Sequence, residues 1–334
     1  MNTSHKFVDL QQIERASSII ADTVRLTPVN ASPSLSVLLG VPVHLKLEHL
    51  QITGSFKLRG ATNAVASLNE DEKQRGVVGV STGNHGRGLA YAAKAAGVKC
   101  IICMSCLVPQ AKIDGIKAQG ADVRIVGRSQ DEAQVEVDRL VSEDGMTMIP
   151  PFDHPAIVAG QGTLALELIQ QVPDAAIVLV PLSGGGLISG VAVALKAVRP
   201  DIKIIGISME RGAAMHQCLQ ARKPILVEEL STLADSLGGG IGLGNQLTFP
   251  MTRALVDDII LVSETEIAAA IRHIYWQDRQ IVEGAGAVGV AALLAGKITS
   301  SGPVVSIISG GNIDMQQHHR ITSGEDVDVT KETT

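Results

Sequence analysis

The sequence predicts an α/β protein in which parallel sheets are flanked by helices and a ligand cleft lies between two such units. Three observations predict it. From residue 77 onward short β-branched runs alternate with Ala-rich or amphipathic stretches, and that rhythm needs crossover helices, hence parallel strands. Glycine-rich turns stand where strands pass into helices, which is where open parallel sheets bind ligands. At 334 residues, 45% of them hydrophobic and 19% charged, the chain has apolar material for more than one small core.

The elements follow in order. Apolar residues at helical spacing over 10–24 (Ile13, Ala16, Ile19, Ile20) predict a helix that Thr27-Pro28 ends. Residues 43–47 alternate apolar and polar as a short strand does, and lead to a lysine-bearing loop. Strand 77–80, helix 85–96, strand 98–103, helix 110–119, strand 121–126, helix 129–142 and strand 146–149 come next. Ser129 and Glu132 form a capping-box pattern at the start of the third of these helices. Pro150-Pro151 marks a boundary. A second series has helix 156–171, strand 176–181, helix 187–198, strand 203–209, strand 259–262, helix 264–275, helix 287–295 and strand 304–308. The polar tail 323–334 is expected to fray.

Composition excludes some function classes. A net charge of −6, aromatics at 2% and the absence of any Lys/Arg run speak against nucleic acid. No stretch approaches the ~18 to 20 apolar residues that span a bilayer, and residues 1–9 lack a signal-peptide core, so a cytoplasmic protein without a membrane partner is expected. Cys100, Cys103 and Cys106 recur every three residues within an apolar run, a spacing that sends strand side chains to opposite faces. Buried, reduced thiols are expected there and at Cys218.

Five stretches carry chemistry. Gly54-Ser55-Phe56-Lys57-Leu58-Arg59-Gly60 sets a lysine between an aromatic residue and glycines. Ser183-Gly184-Gly185-Gly186-Leu187 follows an apolar strand and opens a helix, so several backbone N–H groups converge on one point suited to a phosphate. Ser81-Thr82-Gly83-Asn84-His85-Gly86 has the same form with polar side chains added; it can seat a carboxylate, and its Ser, Thr and Asn are also ordinary cap residues. Glu283-Gly284-Ala285-Gly286 and Ser309-Gly310-Gly311-Asn312 complete the set. Gly284 to Gly289 also satisfies G-x-G-x-x-G, but little apolar strand precedes it and no acidic residue stands in the next strand, so a dinucleotide site is not expected.

In this order the five stretches resemble the fold-type II pyridoxal phosphate enzymes, in the branch of threonine/serine dehydratases and serine racemase. The resemblance runs through nearly the whole chain. It implies a two-domain, tryptophan synthase β-like fold with the active site between domains: a large cofactor-binding domain of residues 1–52 and 149–334, and a small domain of residues 53–148. It implies that Lys57 holds pyridoxal 5'-phosphate as a Schiff base and takes the substrate α-proton. Phe56 would pack beside the ring and Asn84 would bond its phenolic oxygen. Ser183, Gly184, Gly185, Gly186 and Leu187 would hold the phosphate, Ser309 would bond the ring nitrogen, and Glu283 would line the cofactor. Ser81, Thr82, Gly83, Asn84 and His85 would hold the substrate carboxylate, with Thr82 at a catalytic position.

The implied activity is that of a carbon–nitrogen lyase: loss of water from a β-hydroxy amino acid, giving a 2-oxo acid and ammonia. A racemase of the same fold and a non-catalytic amino-acid or cofactor binder are the alternatives. In serine racemase a serine stands at the position of Thr82 and acts as second base. That family's cation site has an acidic residue six positions after its Glu, where this chain has His216 after Glu210, so no metal is expected. Asp235-Ser236-Leu237-Gly238-Gly239-Gly240-Ile241-Gly242 departs from the Ala-Asp-Gly pattern of common threonine dehydratases and looks like the hydroxyectoine-utilisation dehydratases. A homodimer or homotetramer is the family expectation.

Overall fold

The computed structural model describes residues 7–325 and 329, apart from 82, 107, 109 and 129. Two sheets organise it. The first half of the chain contributes α1 (Leu10–Ile20), β1 (Val29–Ala31), α2 (Pro33–Leu39), β2 (Val43–Leu47), α3 (Lys57–Ala66), α4 (Glu70–Arg75), β3 (Val77–Val80), α5 (Asn84–Ala95), β4 (Cys100–Met104), α6 (Gln110–Ala118), β5 (Asp122–Ile125), α7 (Gln130–Asp144) and β6 (Thr147–Met148). The second half adds α8 (Pro155–Gln171), β7 (Ile177–Pro181), α9 (Gly186–Val198), β8 (Lys203–Met209), α10 (Ala214–Gln220), α11 (Thr248–Leu255), β9 (Asp258–Val262), α12 (Glu264–His273), α13 (Gly284–Leu294), β10 (Val304–Ile308) and α14 (Met315–Thr322).

The larger sheet has strand order β1-β2-β10-β7-β8-β9 and the smaller β5-β4-β3-β6. All pairings are parallel except β1 with β2. The parallel sheets with flanking helices are those the alternating pattern predicts. Cys100 and Cys103, three apart on β4, fall in apolar clusters on opposite faces of the small sheet. Cys106 departs from expectation: it lies past the strand end and is exposed, whereas Cys100, Cys103 and Cys218 are buried and free. No helix among the described residues is long and apolar enough to cross a membrane.

Several boundaries move for local reasons. Helix α1 starts on a capping box, in which Asp9 accepts the Gln12 N–H at 2.8 Å, and ends at Ile20, where Thr23 turns back to the Ile20 carbonyl. The expected 264–275 helix stays α-helical to His273, and then a π-turn over Ile274–Asp278 ends on Arg279 in the left-handed region. Ser129 of the predicted capping box lies outside the described residues.

Strand β2 reads as half-exposed from its alternation, yet between β1 and β10 it is buried, Lys46 included. Lys46 Nζ donates to the Thr27 carbonyl at 2.7 Å and to Gln171 at 2.9 Å, and pairs with Glu167. Beside it Arg59 is held by both oxygens of Glu48 at 2.8 Å and by Glu167 at 2.7 Å. Buried charges survive when paired in this way. The network fastens α3, two residues beyond Lys57, to α8 and to the end of β2.

Helix α13 explains the discounted glycine pattern. It is almost wholly buried, and a Cβ on Gly284 would stand 2.1 Å from the Leu233 carbonyl, one on Gly286 2.5 Å from that of Gly310, and one on Gly289 2.3 Å from Ser306 Oγ. These glycines serve close packing, Gly289 on strand β10 and Gly284 and Gly286 on the neighbouring loops.

Candidate active site

Strand ends bring the motifs together. A cavity of about 610 Å³ opens between the two sheets, lined by residues that follow β3 (Ser81, Gly83, Asn84 and His85), β7 (Ser183 to Leu187) and β10 (Ser309), and by Phe56, Lys57 and Glu283. All three strands are parallel members of their sheets, so their carboxyl ends face one gap.

Lys57 is the first residue of α3 rather than part of a loop. A tight turn at Gly54, with φ +78°, delivers it, and a Cβ there would press within 2.5 Å of Asn312 Oδ1. Backbone bonds from Phe56 to the Ser309 carbonyl (3.1 Å) and from Gly311 to the Gly54 carbonyl (2.9 Å) stitch the lysine turn to the Ser309–Asn312 stretch. The Lys57 ammonium donates to the Pro151 carbonyl at 2.9 Å and lies 5.3 Å from the centre of the Phe56 ring. Burial pulls it down to about 8, with Glu283 opposing in part. An amine near that value is deprotonated often enough at neutral pH to act as a nucleophile or base.

Across the gap, Gly184 to Leu187 wrap the start of α9. A Cβ on Gly184 would stand 2.3 Å from the Phe152 ring, and Gly185 has φ +86°. Neither position accepts a side chain, and the loop amides and the α9 N-terminus are left to face an anion.

The 81–86 turn serves its own fold as well as the cavity. Ser81 Oγ accepts the Gly86 N–H at 3.1 Å and the Gly83 N–H at 3.3 Å, so this serine is a cap. Thr82 lies outside the described residues. Asn84 Nδ2 donates to Glu283 Oε1 at 2.7 Å and to Ser236 Oγ at 3.4 Å, while its Oδ1 accepts from Asn312 Nδ2 at 2.6 Å. The longer contact is the weaker one, and it is the donor left for a ligand oxygen. His85 Nε2 donates to the Ile149 carbonyl at 2.9 Å, and burial beside Lys57 lowers the ring to about 3, so the imidazole is neutral and turned from any carboxylate. Only its backbone N–H can serve an anion.

Glu283 is buried and accepts from Asn84 and, at 3.1 Å, from the Asn312 N–H. Burial, with Asp235 nearby, pushes its carboxyl up to about 7. Ser309 is buried, and its hydroxyl reaches the Ala285 carbonyl at 3.5 Å, the edge of hydrogen bonding, so it is free to turn to a better acceptor. Among the described residues no group of three or more His, Cys, Asp or Glu is placed to hold a metal ion. Glu210 sits 4.0 Å from Lys297 instead.

Sequence reasoning missed several contributors. Phe152 and Pro151 follow the punctuating Pro150 and act through van der Waals contact and a carbonyl, neither of which leaves a motif. Asp153 accepts from the N–H groups of Gln246, Leu247 and Thr248 at 2.8 to 3.0 Å and so caps α11 from a distance. Lys112 and Asp235 pair at 3.0 Å at the cavity mouth.

Comparisons with known proteins agree with this geometry. The family described as "Pyridoxal-phosphate dependent enzyme" matches residues 20–310. The chain is 58% identical over 318 residues to a Sinorhizobium fredii protein provisionally named threonine dehydratase, covering 95% of this chain and 96% of that one. It is 40% identical over 314 residues to the L-threonine ammonia-lyase of Thermotoga maritima, covering 94% and 78%. The solved structure of maize serine racemase superposes with a TM-score of 0.90 at 36% identity, covering 94% and 97%.

Proposed function

The chain belongs to the pyridoxal-phosphate-dependent enzymes, and from that premise we propose that it is an ammonia-lyase of the threonine/serine type, removing water from a β-hydroxy amino acid and releasing a 2-oxo acid and ammonia. One observation carries the reading: a lysine of lowered proton affinity faces a side-chain-free glycine loop at a helix N-terminus across a single cavity.

The residues present fit the cofactor. Gly184 and Gly185 form a cradle that any Cβ would obstruct, and the Ser309 hydroxyl lacks a good partner in the cavity wall. When bound, pyridoxal phosphate supplies an aldehyde for an amine and a ring that withdraws electrons from the neighbouring carbon. Lys57 Nζ would hold that aldehyde at rest and carry the substrate proton afterwards. The amides of Gly184 to Leu187 would hold the phosphate. The backbone of Gly83 to His85 would take the substrate carboxylate at the start of α5, and the resemblance gives Thr82 the catalytic position. Asn84 would donate to the ring oxygen, Phe56 would pack on the ring, and Ser309 would meet the ring nitrogen with a neutral hydroxyl. Such a partner would leave that nitrogen uncharged, which suits elimination.

In this reading residues 53–148 form the small domain, residues 1–52 and 149–334 the large one, and the enzyme works in the cytoplasm as a homodimer or homotetramer. The 235–242 stretch supports a hydroxyectoine-derived substrate within the class. Assaying threonine, serine, 3-hydroxyaspartate and hydroxyectoine-derived amino acids for 2-oxo acid release ranks the substrates. Borohydride should fix the cofactor to Lys57 and bleach its colour. A Lys57→Ala protein that still releases ammonia at the wild-type rate refutes the role, and a coloured protein without turnover would be a binder. The likeness to maize serine racemase supports a second reading, racemisation, which chiral analysis of recovered serine decides.

A further inference from the structure

The mouth of the cavity holds an ion pair that the catalytic roles above leave unexplained. Lys112 is carried by α6, which flanks the small sheet; Asp235 opens a short turn that leads into Gly238, Gly239 and Gly240. Their side chains meet at 3.0 Å, 37% and 57% exposed, and both line the cavity. From there polar contacts run inward. Ser236 Oγ reaches Asp235 Oδ1 at 3.4 Å and accepts from Asn84 Nδ2 at 3.4 Å, and the same amide donates to the buried Glu283 at 2.7 Å.

The backbone bearing this chain is tied at both ends. Leu233 N–H and Thr232 Oγ1 are tied to Glu264 at 2.6 and 2.7 Å, and Asp153 holds residues 246–248. Gly239 and Gly242 lie at φ +88° and +80°, and nothing stands within 4 Å of where their Cβ atoms would be. Leu237 and Ile241 are packed into the core and Asn245 holds the Ile241 carbonyl at 3.1 Å, so what remains for polar contacts across the mouth to fix is the placement of the exposed Asp235 and Ser236.

We propose that Lys112 and Asp235 are positioning residues for the elimination: their ion pair draws the 235–237 turn against α5 and so fixes Ser236 and the Asn84 amide beside Glu283. The inference rests on the ammonia-lyase reading for its kinetic consequences and on geometry alone for the latch. The charged groups facing Glu283 are Lys57 from α3, Arg87 from α5 and Asp235 itself; Asn84, Asn312 and Ser236 are its uncharged neighbours.

The test compares Asp235→Asn, Lys112→Met and the double variant, with Asp235→Glu and Lys112→Arg as conservative rescues. In the holoenzyme each of the first two should lose about threefold in kcat/KM at low salt, the scale of an exposed ion pair, with less loss at high salt. Because Glu283 holds the Asn84 amide, its ionisation should show as a limb in the pH profile of kcat/KM, and that limb should move in opposite directions in the two variants. Asp235→Asn removes a negative charge and lets Glu283 ionise at lower pH; Lys112→Met leaves Asp235 unopposed and delays ionisation. The double variant should return toward wild type. In cofactor-free protein, hydrogen exchange of residues 235–242 should speed up in both single variants and recover in the rescues. Limbs that move together, or faster exchange with unmoved limbs, would overturn the positioning role; unchanged exchange would overturn the latch itself. Were the chain to eliminate nothing, the exchange arm would still judge the ion pair, which separates the two failures.

Discussion

Replacing Arg59 by Met should uncouple the lysine-bearing helix from its foundation. Arg59 is 1% exposed, bonds Glu48 at two atoms, and pairs with Glu167. Burial alone would lower its proton affinity, but the two carboxylates outweigh that and raise it. In Arg59→Met, Glu48 stays wholly buried with the Thr27 hydroxyl as its remaining close partner, while Glu167 keeps Lys46. Removing one partner of a buried pair costs about 3 to 5 kcal/mol; because Glu167 is still paired, about 4 is expected. With a urea m-value of about 3 kcal/mol/M, the midpoint of the cofactor-free protein should fall by about 1.3 M. The double variant Arg59→Met, Glu48→Leu should recover most of the loss, since an apolar replacement of the whole pair leaves no orphan charge. Far-UV circular dichroism reads the midpoint, and the fraction of Lys57 fixed by borohydride reads the site. A midpoint for Arg59→Met within about 0.2 M of wild type would refute the account, as would a double variant as unstable as the sum of its singles.

Other outcomes follow from single contacts. Gly185→Ala puts a side chain at φ +86° and 2.8 Å from Thr252 Oγ1. The left-handed strain of about 1 to 2 kcal/mol should weaken cofactor binding by about tenfold, measured by absorbance titration. Gly284→Ala should destabilise by about 3 kcal/mol, because its Cβ meets backbone 2.1 Å away that cannot rotate aside, and thermal melts of the purified protein would show it. Glu283 binds its proton more tightly folded (about 7) than at its ordinary 4.5, so its contribution to stability is full below 4.5 and is lost as pH rises through 7. Denaturation of Glu283→Gln across that window should show a flatter profile than wild type. A thiol reagent should label Cys106 quickly and the buried Cys100, Cys103 and Cys218 slowly, as mass spectrometry would count.

The layered architecture and most of the site were legible because both rest on local signals. Strand periodicity and glycine-rich strand ends need no knowledge of distant partners, and they located Lys57, the Gly184–Gly186 turn and Ser309. What escaped depends on partners remote in sequence. Lys46 in an alternating strand reads as an exposed cation until Glu167 arrives 121 residues later. The α4 and α11 helices are short, and α11 begins on a cap supplied by Asp153. The His85 imidazole bonds the Ile149 carbonyl, 64 residues on, a partner that the local pattern of the 81–86 turn does not show.

Strand β10 has a consequence for synthesis. Among the described residues it is the last strand to leave the ribosome, yet it lies between β2 and β7, pairing Val304 with both Val43 and Ile177. Until it emerges, two apolar strands keep raw inner edges, and the most central wall of the protein is missing while nine-tenths of the polypeptide is already made. A nascent chain halted before residue 304 therefore lacks the seam on which the lysine turn and the glycine loop are both hung, and it should engage chaperones or be degraded rather than persist as a smaller enzyme.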